Sequence, residues 1–220
     1  MNKNIIILFA CLITQIGIAQ VPVKYEPHHH NVFENEYLLL LDVHIGPGDT
    51  TQYHEHSTPS VFFTFTTTKT TPQLPGQAPP RVSNNSPGPP PYDSLGTPRI
   101  HRVWNNDSVW FQVMDIELLK ENPTTKPSIL EHPSLSTAFN RYLANGYRMQ
   151  LKASEKMELP ISQVGYLIVS QVDATVDYTL GNVNQQRFMK PGHFIWIPQS
   201  QNFSITNKGE PASFMILQLK

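Results

Sequence analysis

Short runs of β-branched and aromatic residues, parted by Gly, Pro and Asn, recur along almost the whole chain. They cover residues 36–45, 61–68, 101–105, 109–119, 147–151, 164–170, 175–180, 193–197, 203–206 and 213–219. Many short strands punctuated in this way predict an all-β sandwich or barrel. One helix is expected, over Ser134–Leu143. Leu135, Ala138, Phe139, Tyr142 and Leu143 would share a face, with Pro133 and Ser134 at its start and Asn145-Gly146 at its stop. It would pack across a join between two halves.

Residues 72–98 interrupt the strand pattern with nine of the 20 prolines. Proline cannot donate to a ladder, so this segment reads as a long extended loop, either a plain surface loop or a lid. A faint repeat flanks it. Tyr37–Leu41 resembles Tyr147–Leu151, Ser60–Thr64 resembles Gly165–Val169, and His101–Asn105 resembles Phe203–Asn207, in the same order. Two copies of one β unit, residues 20–120 and 121–220, account for this.

Residues 1–19 read as a secretory signal peptide. Lys3 precedes an apolar run from Ile5 to Ile18, and Gly17 and Ala19 suit the −3 and −1 positions of a cleavage site near Ala19. The run is shorter than the about 20 residues of a membrane span. An uncleaved anchor and a lipoprotein signal at Cys11 are the alternatives, although apolar Leu12 and Ile13 follow Cys11 where a polar tether is usual. Cys11 is the only cysteine. The mature chain would then lack disulfides and depend on its core, and about 200 residues suffice for one. A secreted or periplasmic location is expected. The formal net charge is −1, with 16 basic and 17 acidic residues. No basic stripe points to nucleic acid, and no basic amphipathic helix points to a membrane surface once the signal is removed.

The stretch Gly48–His56 carries the chemistry. On a strand, His54 and His56 project from one face about 6–7 Å apart, and Glu55 projects from the other. Imidazole suits zinc, copper, iron and nickel. His28-His29-His30 reads as an exposed arm near the terminus, with a contribution to the rim of a site as the alternative. His44 is a plain strand position or a neighbour of the ligands. His132 and His193 sit in turns. Arg99 and Arg102 read as surface residues, with a carboxylate-holding role as the alternative. Tyr53, Phe62, Phe63, Phe65, Trp104, Trp110 and Phe111 read as packing or as an apolar pocket wall.

These residues resemble the cupin superfamily. Its first motif is Gly, five residues, His-x-His, then three or four residues to a Glu; here Gly48 and His54-Glu55-His56 match its opening. Its second motif closes on His, three residues, Asn; here His101 and Asn105 match. The glutamate position falls at Ser60 or Val61, and the Pro-x-Gly of the second motif is absent before His101. In the second half Lys190-Pro191-Gly192 and Trp196-Ile197-Pro198 match the approach to that motif, but Phe203 stands in place of the histidine. The resemblance implies two jelly-roll β-barrels (a bicupin) joined by the short helix, with a metal site kept only in the first. It implies a mononuclear divalent metal, Fe, Mn, Zn, Ni or Cu, on His54, His56 and His101. Ser60, Gln52 and Asn105 are candidate neighbours of that site, and no catalytic acid or base stands out. Similar three-histidine cupins include oxygenases of thiols, diketones and aromatic acids. A dioxygenase-like enzyme acting on a small organic molecule is therefore the first expectation. A non-catalytic module for a sugar or organic acid is the second, and a structural or partner-binding role the third. Monomer and homodimer are both open.

Overall fold

The computed structural model describes residues 20–77, 81–121 and 127–220. The signal peptide expected over residues 1–19 lies outside them. The strands are β1 (Gln20–Pro22), β2 (His29–Glu34), β3 (Leu38–Ile45), β4 (Tyr53–His56), β5 (Ser60–Thr64), β6 (Thr68–Gln73), β7 (Ser83–Asn85), β8 (Tyr92–Asp93), β9 (Arg99–Asn105) and β10 (Phe111–Leu118). They continue as β11 (Leu135–Asn140), β12 (Ala144–Leu151), β13 (Lys156–Leu159), β14 (Gly165–Ser170), β15 (Ala174–Leu180), β16 (Val183–Met189), β17 (Phe194–Pro198), β18 (Phe203–Asn207) and β19 (Ala212–Leu219). Among the described residues the only helical element is a 3-10 turn at Val23–Tyr25.

Four sheets form, ordered β1-β4-β9-β6-β7, β2-β3-β10-β5-β8, β11-β12-β19-β14-β17 and β13-β18-β15-β16. Raising each label from β2 to β10 by nine converts the first pair of sheets into the second, so one topology occurs twice. The repeat extends to detail. Gly48 and Ser154 both take positive φ, 76° and 62°, before the strands β4 and β13. The amides of Asn105 and Asn207 bond to the carbonyls of Asp49 and Glu155. The Asn105 side chain holds the carbonyls of Ile45 and Val109, as Asn207 holds those of Leu151 and Glu210.

Strand alternation distributes the apolar residues. In β3, Leu39, Leu41, Val43 and Ile45 point into the first sandwich with Phe111 and Val113 of β10. The alternate residues Leu38, Leu40, Met114, Ile116 and Leu118 point outward and meet Leu167, Val169, Met215, Leu217 and Leu219 of the second set. The run of leucines thus reflects a strand buried on both faces. A separate core, including Tyr147, Met149, Leu159, Phe203 and Phe214, fills the second sandwich.

The helix expected over Ser134–Leu143 is instead the strand β11, paired antiparallel with β12. The register shifts between Thr137 and Phe139. A single inserted residue reverses which face later side chains take. Leu135 therefore packs on the second core and Phe139 on the shared apolar layer. In sequence this flipped alternation mimics an i, i+4 helical face. Ten residues gain little as an isolated helix, and sheet pairing prevails. β2 has the same irregularity, between Asn31 and Phe33, and Phe33 packs on the same layer.

The proline-rich segment is not wholly loop. It begins in β6 and contains β7 and β8, with residues 78–80 outside the described set. Pro72 lies opposite Val103 of β9. β7 covers only Thr68–Thr70 of β6, so proline's missing donor leaves no ladder bond unmade.

Candidate functional site

The first sandwich contains a cavity of about 240 Å³. Four imidazoles, from His29, His54, His56 and His101, and the carboxyl of Asp115 reach its wall. β4 and β9 are antiparallel with His54 directly opposite His101, so both rings leave the same face. His56 follows His54 by two residues and shares that face. The ring centroids lie 4.6 Å apart for His54–His101, 5.0 Å for His56–His101 and 5.1 Å for His54–His56. His56 Nε2 is 3.2 Å from His101 Nε2. The structure thus gathers the three rings that the sequence singled out.

Three of the four Nδ1 atoms, those of His29, His54 and His56, are tied by an acceptor. His54 Nδ1 donates to the Gln52 carbonyl at 2.9 Å. His56 Nδ1 donates to Glu117 Oε1 at 2.7 Å, and the other oxygen of Glu117 accepts from the Thr58 hydroxyl. His29 Nδ1 donates to Glu26 Oε2 at 2.5 Å. A neutral imidazole with its proton on Nδ1 has its lone pair on Nε2. His54 Nε2 is buried and has no partner. Burial, then the other histidines, holds His54 down at about 3 and His101 at about 2. Burial also lowers His29, against the pull of Glu26. Burial raises Glu26, but His29 and the amides of Gln52 and His28 outweigh it and leave the carboxyl below its ordinary range. Neutral rings with oriented Nε2 lone pairs and orphaned polar atoms are a donor set that fits a divalent cation.

β10 supplies two acids to the same face. Asp115 and Glu117 are both buried, at 1% and 2% exposure. Asp115 Oδ2 lies 3.5 Å from His56 Nδ1, yet neither of its oxygens makes a hydrogen bond. Burial, then the charge of Glu117, pushes its carboxyl well above the usual range. His56, Asp115 and Glu117 place donor atoms within 4.8 Å of one another, as do His29, His54 and His56. Val43, Ile45, Phe62, Val103, Phe111 and Val113 give the cavity an apolar wall, joined by Thr51, Thr64 and Thr70. Pro72, Ser83, Asn85 and Pro91 of the proline-rich segment complete the wall.

The structure places the other residues that the sequence singled out, and some of them differ from expectation. His29 does not belong to an exposed arm: it is 8% exposed, whereas its neighbour His30 is exposed. Asn105 faces the turn carbonyls of Ile45 and Val109, away from the cavity. Gln52 acts through its backbone, and its side chain is exposed. Ser60 is fully buried opposite Glu117 with its hydroxyl unpartnered, outside the cavity wall. Glu117, opposite Ser60 on the neighbouring strand, lies behind the His56 ring on Nδ1. Arg102 lies on the outer face against Tyr53 and Trp104, and Arg99 pairs with Asp93. His44 pairs with Asp42, on the other side of the strand from the site. Sequence reasoning missed Glu26, Asp115 and Glu117. The signal for the last two was present: acids at alternate positions of an apolar strand must be paired when buried.

Among the described residues the second sandwich has none of these donors at the matching positions. Leu159 faces Phe203 where His54 faces His101. Leu135, Ile216 and Gln218 stand at the register positions of His29, Asp115 and Glu117. Apolar side chains fill the space that the first sandwich leaves open.

No protein-family model and no curated protein matches the sequence. Solved structures do match. AerE from Microcystis aeruginosa aligns with a TM-score of 0.61 at 10% identity, over 90% of this chain and 96% of that one. A cupin 2 conserved barrel domain protein from Leptotrichia buccalis aligns at 0.56 and 8% identity, over 87% and 88%. A salicylate 1,2-dioxygenase from Pseudoaminobacter salicylatoxidans, in adducts with gentisate, aligns at 0.59 and 10% identity, over 85% and 70%. The chain therefore has the all-β cupin fold, with a buried cluster of histidines and acids inside its first sandwich.

Proposed function

We propose that this chain is an exported cupin of two barrels, residues 20–120 and 121–220. The first would hold one divalent metal ion on His54, His56 and His101 and act as a dioxygenase-like enzyme on a small organic molecule. The observation that carries the reading is the convergence of three imidazole rings, with His54 Nδ1 and His56 Nδ1 engaged behind their rings and His56 Nε2 facing His101 Nε2. Bound metal would supply Lewis acidity and, if it is iron, redox capacity toward dioxygen. Glu117 and the Gln52 carbonyl hold the His56 and His54 rings in register for it. Phe62, Phe111, Val103 and Val113 exclude water and offer a flat apolar seat. The cavity exceeds the about 150 Å³ void that holds benzene, so a single-ring acid or a compact diketone is the size of substrate that fits. The fold similarity to an enzyme crystallised with gentisate supports the same size class.

The test is oxygen consumption by iron-loaded protein offered small aromatic acids, thiols, diketones and catechols. Metal-dependent uptake with at least one class, abolished by His101→Ala, is expected. Saturable binding of such acids without oxygen uptake would favour the non-catalytic module. Neither binding nor uptake would count against both readings.

A further inference from the structure

Residues 20–34 form an arm that bridges the two sheets of the first sandwich. β1 pairs in parallel with β4 on one sheet, and β2 pairs with β3 on the opposite sheet. Where the arm crosses, Glu26 and His29 turn inward and are almost wholly buried. Glu26 Oε2 accepts from the His28 amide at 2.9 Å and from His29 Nδ1 at 2.5 Å, and its Oε1 accepts from the Gln52 amide at 3.0 Å. The same Gln52 residue orients His54 through its carbonyl. The His29 ring lies 4.6 Å from that of His54 and 6.4 Å from that of His56.

A buried carboxylate and imidazole are costly unless their pairing serves something. The repeat supplies an internal comparison. Leu135 occupies the place of His29 in the second sandwich, so packing alone is met by leucine. The His29 side chain also reaches the cavity wall beside the other rings.

We infer that His29 is a fourth ligand of the metal proposed above, oriented by Glu26, and that metal binding clamps the arm of residues 20–34 across the mouth of the sandwich. This rests on the metal reading of the site and adds a ligand that the paired histidine motifs do not contain. Metal occupancy and ordering of the arm become one equilibrium, because a ligand on the arm binds only when the arm is docked.

Zn²⁺ is the probe. Amide hydrogen exchange of the purified protein, with and without Zn²⁺, should show slower exchange across residues 20–34 when the ion is bound. The variant Glu26→Gln/His29→Leu copies the leucine of the second sandwich and removes the buried charge, which favours folding. It should still bind Zn²⁺, but at least about 10–100-fold more weakly in chelator competition, the loss that even groups outside the ligand shell bring. The visible spectrum of its Co²⁺ form should differ from that of the parent. Unchanged Zn²⁺ affinity in the variant, or exchange in the arm that ignores Zn²⁺, would overturn the fourth ligand and leave the three-histidine site standing. Failure of the parent protein itself to bind Zn²⁺ or Co²⁺ would remove the site and the inference together.

Discussion

At the scale of single residues, the arrangement depends on the acceptors behind the histidines. Glu117 fixes the His56 ring and is itself held by Thr58. Glu117→Gln keeps the size of the side chain but removes its charge. Metal affinity should fall by about 10–100-fold, measured by chelator competition, while the far-ultraviolet circular dichroism stays unchanged. An unaltered affinity would show that Glu117 is a packing residue only. The buried rings also set a pH dependence. His54 and His101 are lowered from 6.5 to about 3 and about 2. The unfolded chain therefore takes up protons below about pH 6.5 that the folded one refuses. The share of the metal-free protein's stability that these two rings set should be fully present above that pH and should fall steadily as pH drops from 6.5 toward 3. Melting temperature measured from pH 8 to pH 4 checks this, and a flat profile would contradict it.

At the scale of elements, the strands show what was readable and what was not. The His-x-His strand and its partner were legible because an alternating strand puts i and i+2 on one face, and the structure keeps that geometry. β11 was not legible, because its bulge reverses the alternation and produces a helical spacing. His29 was hidden because it lies in a run of three histidines near the terminus, between half-buried His28 and exposed His30, and nothing in that run marks which ring turns inward. Glu117 was hidden because it reaches the His56 ring from a strand 61 residues away, a contact that only the folded packing reveals. Gly146, read from sequence as a helix stop, lies inside β12 opposite Phe139. A Cβ there would stand 2.3 Å from the Phe139 ring. Glycine within a strand often marks such an approach. Gly146→Ala should destabilise the protein by about 1–3 kcal/mol through overpacking, read by denaturant unfolding. A neutral result would mean that the ring moves freely.

At the scale of the whole molecule, the repeated topology has divided its roles. One sandwich keeps a lined cavity, and the other is filled with apolar side chains. The layer between them is a continuous apolar cluster drawn from both, so the two are expected to unfold as one cooperative unit. Leu217→Ala removes a fully buried side chain from that layer. It should cost about 2–5 kcal/mol and lower a single calorimetric transition without splitting it. Two separate transitions in the parent protein would show that the halves are independent. The most direct test of the account is the metal content of the purified chain after equilibration with Fe²⁺, Mn²⁺, Zn²⁺, Ni²⁺, Cu²⁺ or Co²⁺. About one tightly held ion per chain with at least one of these metals, largely lost in His101→Ala, is the predicted result. A parent protein that retains none of them, or a His101→Ala variant that retains as much as the parent, would contradict it.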